Sequence, residues 1–210
     1  MNDDDIYTAR LELVDFPIEV FWDTPREEFI EKLLAGDVLI PEKDVNEQLT
    51  TGFRHLRSFI DDHEGEDPAA VADDLAGEYT RLFAAPRPPV LPHETYYRDD
   101  TDLLGEGLAE VEASYAAAGW KRPEEYPEES DFIAVELAFL RWVIERQQQG
   151  QEEAFGYERV FLDNHLLGWK DAFLADLVDN TEEDLFLAAG YVFAGLVEFE
   201  DELVAQMVPN

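Results

Sequence analysis

From Thr181 to about Gln206 the apolar residues Leu185, Ala189, Val192, Leu196, Phe199 and Leu203 follow one another at alternating steps of four and three. That spacing winds onto one stripe of an α-helix and onto no face of a strand, where side chains alternate every second residue. The stripe is either a buried seam or a partner surface. The same period returns upstream. Val71, Leu75, Tyr79, Leu82 and Phe83 share a face after the start signal Asp67-Pro68, and Ile133, Leu137, Leu140 and Ile144 form a stripe between Asp131 and Gln149. Thr24-Pro25-Arg26-Glu27 reads as a hydroxyl N-cap with proline at the first helical position, and Gly36 as the end of that helix. Asp102 to Ala118 closes on Gly119. Strand-period alternation is nearly missing and no Asn-Gly or Asp-Gly hairpin signal occurs. The expectation is an all-α protein, with residues 1–210 forming a single-domain multi-helix bundle. Two irregular stretches interrupt it: 85–98 with four prolines, and 120–130 with Pro123 and Pro127.

The chain carries 50 acidic against 15 basic residues, a formal charge of −35. Its 14 Phe, 8 Tyr and 4 Trp supply a core that a disordered acidic tail would lack. Such a charge argues against nucleic acid and against anionic lipid as partners, because neither finds a basic patch for its phosphates. It also suits a salt-rich, halophilic setting, where the Debye length falls to roughly 3 Å at 1 M ionic strength and self-repulsion is screened. An acidic N-terminus without a basic n-region or an apolar h-region, and no run of about 20 apolar residues, point to a cytoplasmic protein that is not inserted in a membrane.

No enzyme signature is assembled in the sequence. There is no Cys, and no Glu precedes a His at di-iron spacing. Ser58, Ser114 and Ser130 lie outside any Gly-x-Ser-x-Gly elbow. Gly105-Glu106-Gly107 follows no strand and precedes no Lys-Ser or Lys-Thr. No catalytic residue, metal ligand or cofactor is therefore nominated.

Three features rise above the background of surface charge. On a helix, Glu136 has Phe132, Ile133, Phe139 and Leu140 as its neighbours at three and four residues, so its carboxylate is half buried and needs a donor. Arg81 and Arg98 are candidates by type; the pairing either locks the fold or serves a ligand. His165 has Phe161, Leu162 and Trp169 around it and reads first as a satisfied core histidine. The loop 85–98 combines stiff prolines with Tyr96 and Tyr97, a composition fit for peptide recognition or for a rigid connector.

These residues carry a resemblance. Tyr79 with Leu82-Phe83, then Pro86 and Pro92-His93-Glu94-Thr95-Tyr96-Tyr97, then Asp131-Phe132 with Glu136-Leu137, and His165-Leu166 with Trp169 and Phe173 stand in the order of the motifs of the TorD/DmsD-like family. The resemblance runs from about residue 70 to the C-terminus. It implies a chaperone, not an enzyme, that binds the twin-arginine signal peptide or the apo form of a molybdopterin oxidoreductase precursor and holds it until cofactor insertion. It implies peptide contacts from Tyr79, Leu82, Phe83, Pro86, Glu94, Tyr97, Asp131, Phe132, Glu136, His165 and Trp169, with the chain acting as a monomer or homodimer. This chain departs from the family where Phe132 replaces a histidine, where Glu129 stands for a proline displaced to Pro127, and where Pro17 interrupts the expected first helix. The rival readings are an assembly subunit with a permanent helical interface and a metal-dependent phosphate hydrolase.

Overall fold

The computed structural model describes residues 3–38, 40–41, 45–98, 104–123 and 128–207. Asp102 and Pro127 lie outside the described residues. The helices in chain order are α1 (Asp3–Trp22), α2 (Glu27–Leu34), α3 (Glu47–Asp62), α4 (Pro68–Tyr79), α5 (Glu94–Tyr97), α6 (Leu104–Ala118), α7 (Ile133–Gln148), α8 (Glu153–Phe161), α9 (Leu167–Asn180) and α10 (Asp184–Met207). The fold is all-α, and among the described residues extended pairing is limited to an isolated antiparallel bridge between His93 and Phe132. Among the described residues, no helix is long and apolar enough to cross a membrane.

The helix with the four-three stripe is the centre of the fold. α10 packs against α3, α9, α1 and α8, and Leu185, Ala189, Val192 and Leu196 are fully buried. The seam from Leu185 to Leu196 is thus spent inside the chain, while Phe199 and Leu203 further along the stripe stay half-buried. α3 can approach because glycines remove bulk at the crossing. A Cβ on Gly195 would lie 2.6 Å from the Leu49 backbone N, and one on Gly52 would lie 3.0 Å from the Val192 backbone N. Asn46 secures the same crossing: its Oδ1 accepts from Leu49 N at 2.8 Å, capping α3, while its Nδ2 donates to the Gly195 carbonyl at 2.8 Å.

Local signals were partly overruled. Arg26, in extended conformation, is the N-cap of α2, and its carbonyl accepts from Phe29 and Ile30. The helix therefore starts after Thr24-Pro25, which belong to the turn. Pro17 does not interrupt α1, which runs from Asp3 to Trp22 with the proline inside it. Proline in a helix interior costs about 3 kcal/mol; here α1 is clasped between α7 and α10, and that packing outweighs the missing bond. Gly36 and Gly119 turn the chain with φ of 75° and 80°, as helix-ending glycines do. Two five-residue π turns, Thr80–Ala84 and Leu162–Leu166, shift the register after α4 and before α9.

A buried ionic cluster ties α1, α7, α8 and α10 together. Arg10 Nη2 lies 2.7 Å from Glu200 Oε2 and 3.0 Å from Glu158 Oε1. Its Nη1 donates to Gln147 Oε1 at 2.7 Å. Arg10 is 1% exposed, and Glu158 and Glu200 are 0% exposed. One guanidinium faces two carboxylates, so one of them favours its neutral form. Burial, with the charge of Glu200 beside it and Arg10 opposing, pushes Glu158 from 4.5 up to about 8. Between those pH values the folded state keeps a proton that the unfolded chain has released. The stabilising term is complete below 4.5 and lost as pH rises through about 8. Melts at constant salt from pH 5 to pH 8 are expected to show stability falling by up to about 1.4 kcal/mol per pH unit from this group. Glu158→Gln removes that component; an unchanged slope in the variant would mean the group is not protonated.

Candidate functional site

The proline-rich loop is held to the start of α7 by backbone. Glu94 N donates to the Asp131 carbonyl at 3.0 Å and Ile133 N to the Pro92 carbonyl at 2.9 Å. The Asp131 side chain completes the staple. Its Oδ1 lies 3.0 Å from His93 Nδ1, and its Oδ2 accepts from Thr95 Oγ1 at 2.6 Å and Thr95 N at 3.3 Å. Burial works against the ionised carboxylate, but these donors outweigh it and hold Asp131 below its ordinary value. Asp131 is 3% exposed and its acceptor sites are engaged.

Beneath the staple lies a second polar group. Glu94, on the single turn α5, receives Arg98 Nη1 at 2.9 Å, and His165 Nδ1 lies 3.0 Å from both its oxygens. His165 Nε2 sits 2.8 Å from Ser114 Oγ. These contacts assign the Nδ1 proton of His165 to the Glu94 side. Glu136 stands in the same pocket of the core, accepting from Trp169 Nε1 at 3.3 Å, while its Oε1 has no hydrogen-bond partner. Burial, then the charge of Glu94, raises Glu136 well above the usual carboxylate range and favours its neutral form. The candidate donors for Glu136 are placed elsewhere. Arg81 binds Glu78 and the Asn180 carbonyl, and Arg98 bridges Glu94 and Glu110.

Ser114, His165 and Glu94 have the connectivity of a hydrolytic relay. Ser114 lies well inside α6, so its own N–H is held in the helix ladder and cannot serve as an oxyanion donor. The group ties α5 and α6 to the turn before α9, and Glu136 with Trp169 adds α7 and α9 beside it. Among the described residues, no group of His, Asp and Glu is arranged to hold a metal ion.

The expected peptide residues thus fall into separate sets. Glu94, Glu136, His165 and Trp169 meet in the interior. Tyr79, Leu82 and Phe83 join an aromatic core, with Tyr79 and Phe83 rings 5.1 Å apart and both near Phe186; Tyr79 Oη donates to the Phe21 carbonyl at 3.0 Å. Phe132 is buried against Trp22, and the half-buried Tyr97 stacks on Trp169 at 5.9 Å. Pro86 is exposed on its loop. Large aromatics on the inward stripe of a helix are taken up by the core, so a motif rich in them need not present them to a ligand.

What remains open beside the staple is a crevice of about 380 Å³ lined by Leu91, His93, Thr95, Tyr96, Gly105, Leu108, Glu129 and Asp131. A larger groove of about 860 Å³ opens between α1, α2 and α3, floored by Phe16, Phe29, Leu33, Phe53 and Leu56 and rimmed by Glu12, Glu28 and Asp37. The family model described as the nitrate reductase delta subunit matches residues 42–175, a stretch that holds the crevice, the staple and the polar tie. The chain belongs to the nitrate reductase delta subunit family. A curated relative, the chaperone protein TorD of Vibrio parahaemolyticus serotype O3:K6, is 33% identical over 107 residues, covering 48% of this chain and 50% of the relative. The chain thus matches about half the length of that relative. The family stretch starts earlier than the motif resemblance and ends at 175, so most of the walls of the larger groove, α1 and α2, lie outside it.

Sequence reasoning missed the Arg10 cluster, although the signal was present. Arg10 is flanked at three and four residues by Ile6, Tyr7, Leu13 and Val14; Glu158 by Ala154, Phe155, Phe161 and Leu162; Glu200 by Leu196, Val197, Leu203 and Val204. The neighbour rule that singled out Glu136 applies equally to all of them.

Proposed function

We propose that this chain is a maturation chaperone for a molybdopterin oxidoreductase, cytoplasmic and adapted to high salt, that binds the twin-arginine leader of its client at the crevice beside the Asp131 staple. The observation that carries the reading is that every residue lining this crevice falls within the stretch shared with the delta subunit family. The chemistry agrees. A twin-arginine leader offers guanidinium groups followed by an apolar stretch, and the crevice offers Leu91 and Leu108 beside Glu129. The residues that the resemblance nominated act from behind: Asp131 with His93 and Thr95 sets the loop, and Glu94, His165, Glu136 and Trp169 hold the elements beneath it. The relative's printed role as a chaperone supports the same reading.

The test is calorimetric titration in molar KCl of a peptide with the Arg-Arg motif and its apolar stretch, alongside hydrogen exchange. Binding with protection of residues 91–96 and 129–133 is the expected result. Protection confined to Phe29, Leu33 and Phe53 would place the peptide in the larger groove, which the greater volume there favours. No binding by either the peptide or the apo oxidoreductase would overturn the chaperone reading.

A further inference from the structure

We infer that Tyr96 and Glu129 form a clamp for one guanidinium group and give the crevice its preference for arginine over lysine. The inference rests on the proposed peptide-binding role and assigns residues to its selectivity.

Tyr96 is 56% exposed, in contrast to the buried aromatics of the core. It is nonetheless held in place: its ring meets that of the half-buried Tyr97 edge-on, at 5.0 Å and 86°. Glu129 lines the same crevice and is exposed. Asp131, the other carboxylate there, is occupied by His93 and Thr95. Glu129 accepts no side-chain hydrogen bond and joins no ion pair among the described residues, so the unspent negative charge of the crevice is on Glu129. Leu91 and Leu108 add apolar surface to the same crevice.

Arginine matches this set part by part. Its methylenes lie on Leu91 and Leu108, its guanidinium plane stacks on the Tyr96 ring, and the guanidinium edge donates two parallel hydrogen bonds to Glu129. A lysine ammonium has no plane to stack and no fork to pair, so it cannot use ring and carboxylate together. Salt weakens the exposed ion pair far more than the stacking, so the preference for arginine persists where charge alone is screened.

The experiment titrates Arg-Arg, Lys-Lys and citrulline-citrulline versions of one leader peptide against the full chain, at low salt and in molar KCl. Wild type is expected to bind Arg-Arg about tenfold more tightly than Lys-Lys in both conditions. Tyr96→Leu should bring the two peptides to within about twofold of each other. Glu129→Gln should weaken Arg-Arg several-fold at low salt and less in molar KCl, leaving citrulline-citrulline unaffected. Both positions are exposed, and a melting temperature equal to wild type checks that the variants are folded. A Tyr96→Leu protein that binds well and keeps its full arginine preference overturns the clamp and leaves the chaperone reading standing. Absence of binding of all peptides to wild type removes both.

Discussion

Gly195→Ala is expected to lower the melting temperature by about 6–12 °C, the result of losing about 3 kcal/mol in a domain of this size. The new methyl would be built 2.6 Å from the Leu49 backbone N and 2.9 Å from Asn46 Oδ1. Neither atom can step aside. Leu49 N is held by the cap that Asn46 provides, and Asn46 also binds the Gly195 carbonyl, so relief requires α3 to move off α10 and the Val192–Gly52 contact to open with it. Gly77→Ala is the matched control. Gly77 sits inside α4 with nothing within 4 Å of the added atom, and the change should raise stability by about 0.5–1 kcal/mol. Melts of both variants in molar KCl decide the matter; a Gly195→Ala protein melting with wild type would mean that α3 and α10 are farther apart than described.

Arg10→Met is expected to cost about 3–5 kcal/mol near pH 7.5, the usual penalty for leaving buried charge without its partner. Glu158 and Glu200 would then stand together with no cation, and folding would hold the proton on Glu158 more strongly still. Because the folded state binds protons that the unfolded chain has lost, the penalty grows with rising pH and shrinks toward pH 5. The triple variant Arg10→Met, Glu158→Leu, Glu200→Met should recover part of the loss, since apolar side chains of similar volume remove the desolvation cost along with the pairing, while Gln147 loses its Arg10 and Glu158 partners. Chemical denaturation across pH would show it. A single variant with a flat pH response, or a triple variant no better than the single, contradicts the assignment of this cluster as a buried, proton-linked tie.

Much of the fold was legible because helix periodicity is local. The stripe on α10, the start at Asp67-Pro68 and the endings at Gly36 and Gly119 depend on residues a few positions apart, and they stand where the spacing predicts. Thr24 and Pro17 misled for the complementary reason. A cap or a break is a preference of about 1–3 kcal/mol; at Pro17 the packing of α1 between α7 and α10 outweighs it, and at Thr24 the cap position passes to Arg26. The π turns at Thr80–Ala84 and Leu162–Leu166 have no sequence signature at all. They carry Leu82, which is buried, and His165, whose ring faces Glu94.

The sequence by itself therefore determined that the chain is helical, which faces of those helices turn inward, and which charges must be buried: Arg10, Glu136, Glu158 and Glu200 each sit among apolar neighbours one turn away. Only the tertiary structure decided who meets whom. Arg10 finds Glu158 at a separation of 148 residues and Glu200 at 190, and Asp131 finds His93 and Thr95 across the proline-rich loop. Burial is set by a residue's immediate neighbours along a helix. A partner is set by how whole helices cross, and that depends on the residues at each crossing, as Gly52 and Gly195 do where α3 meets α10.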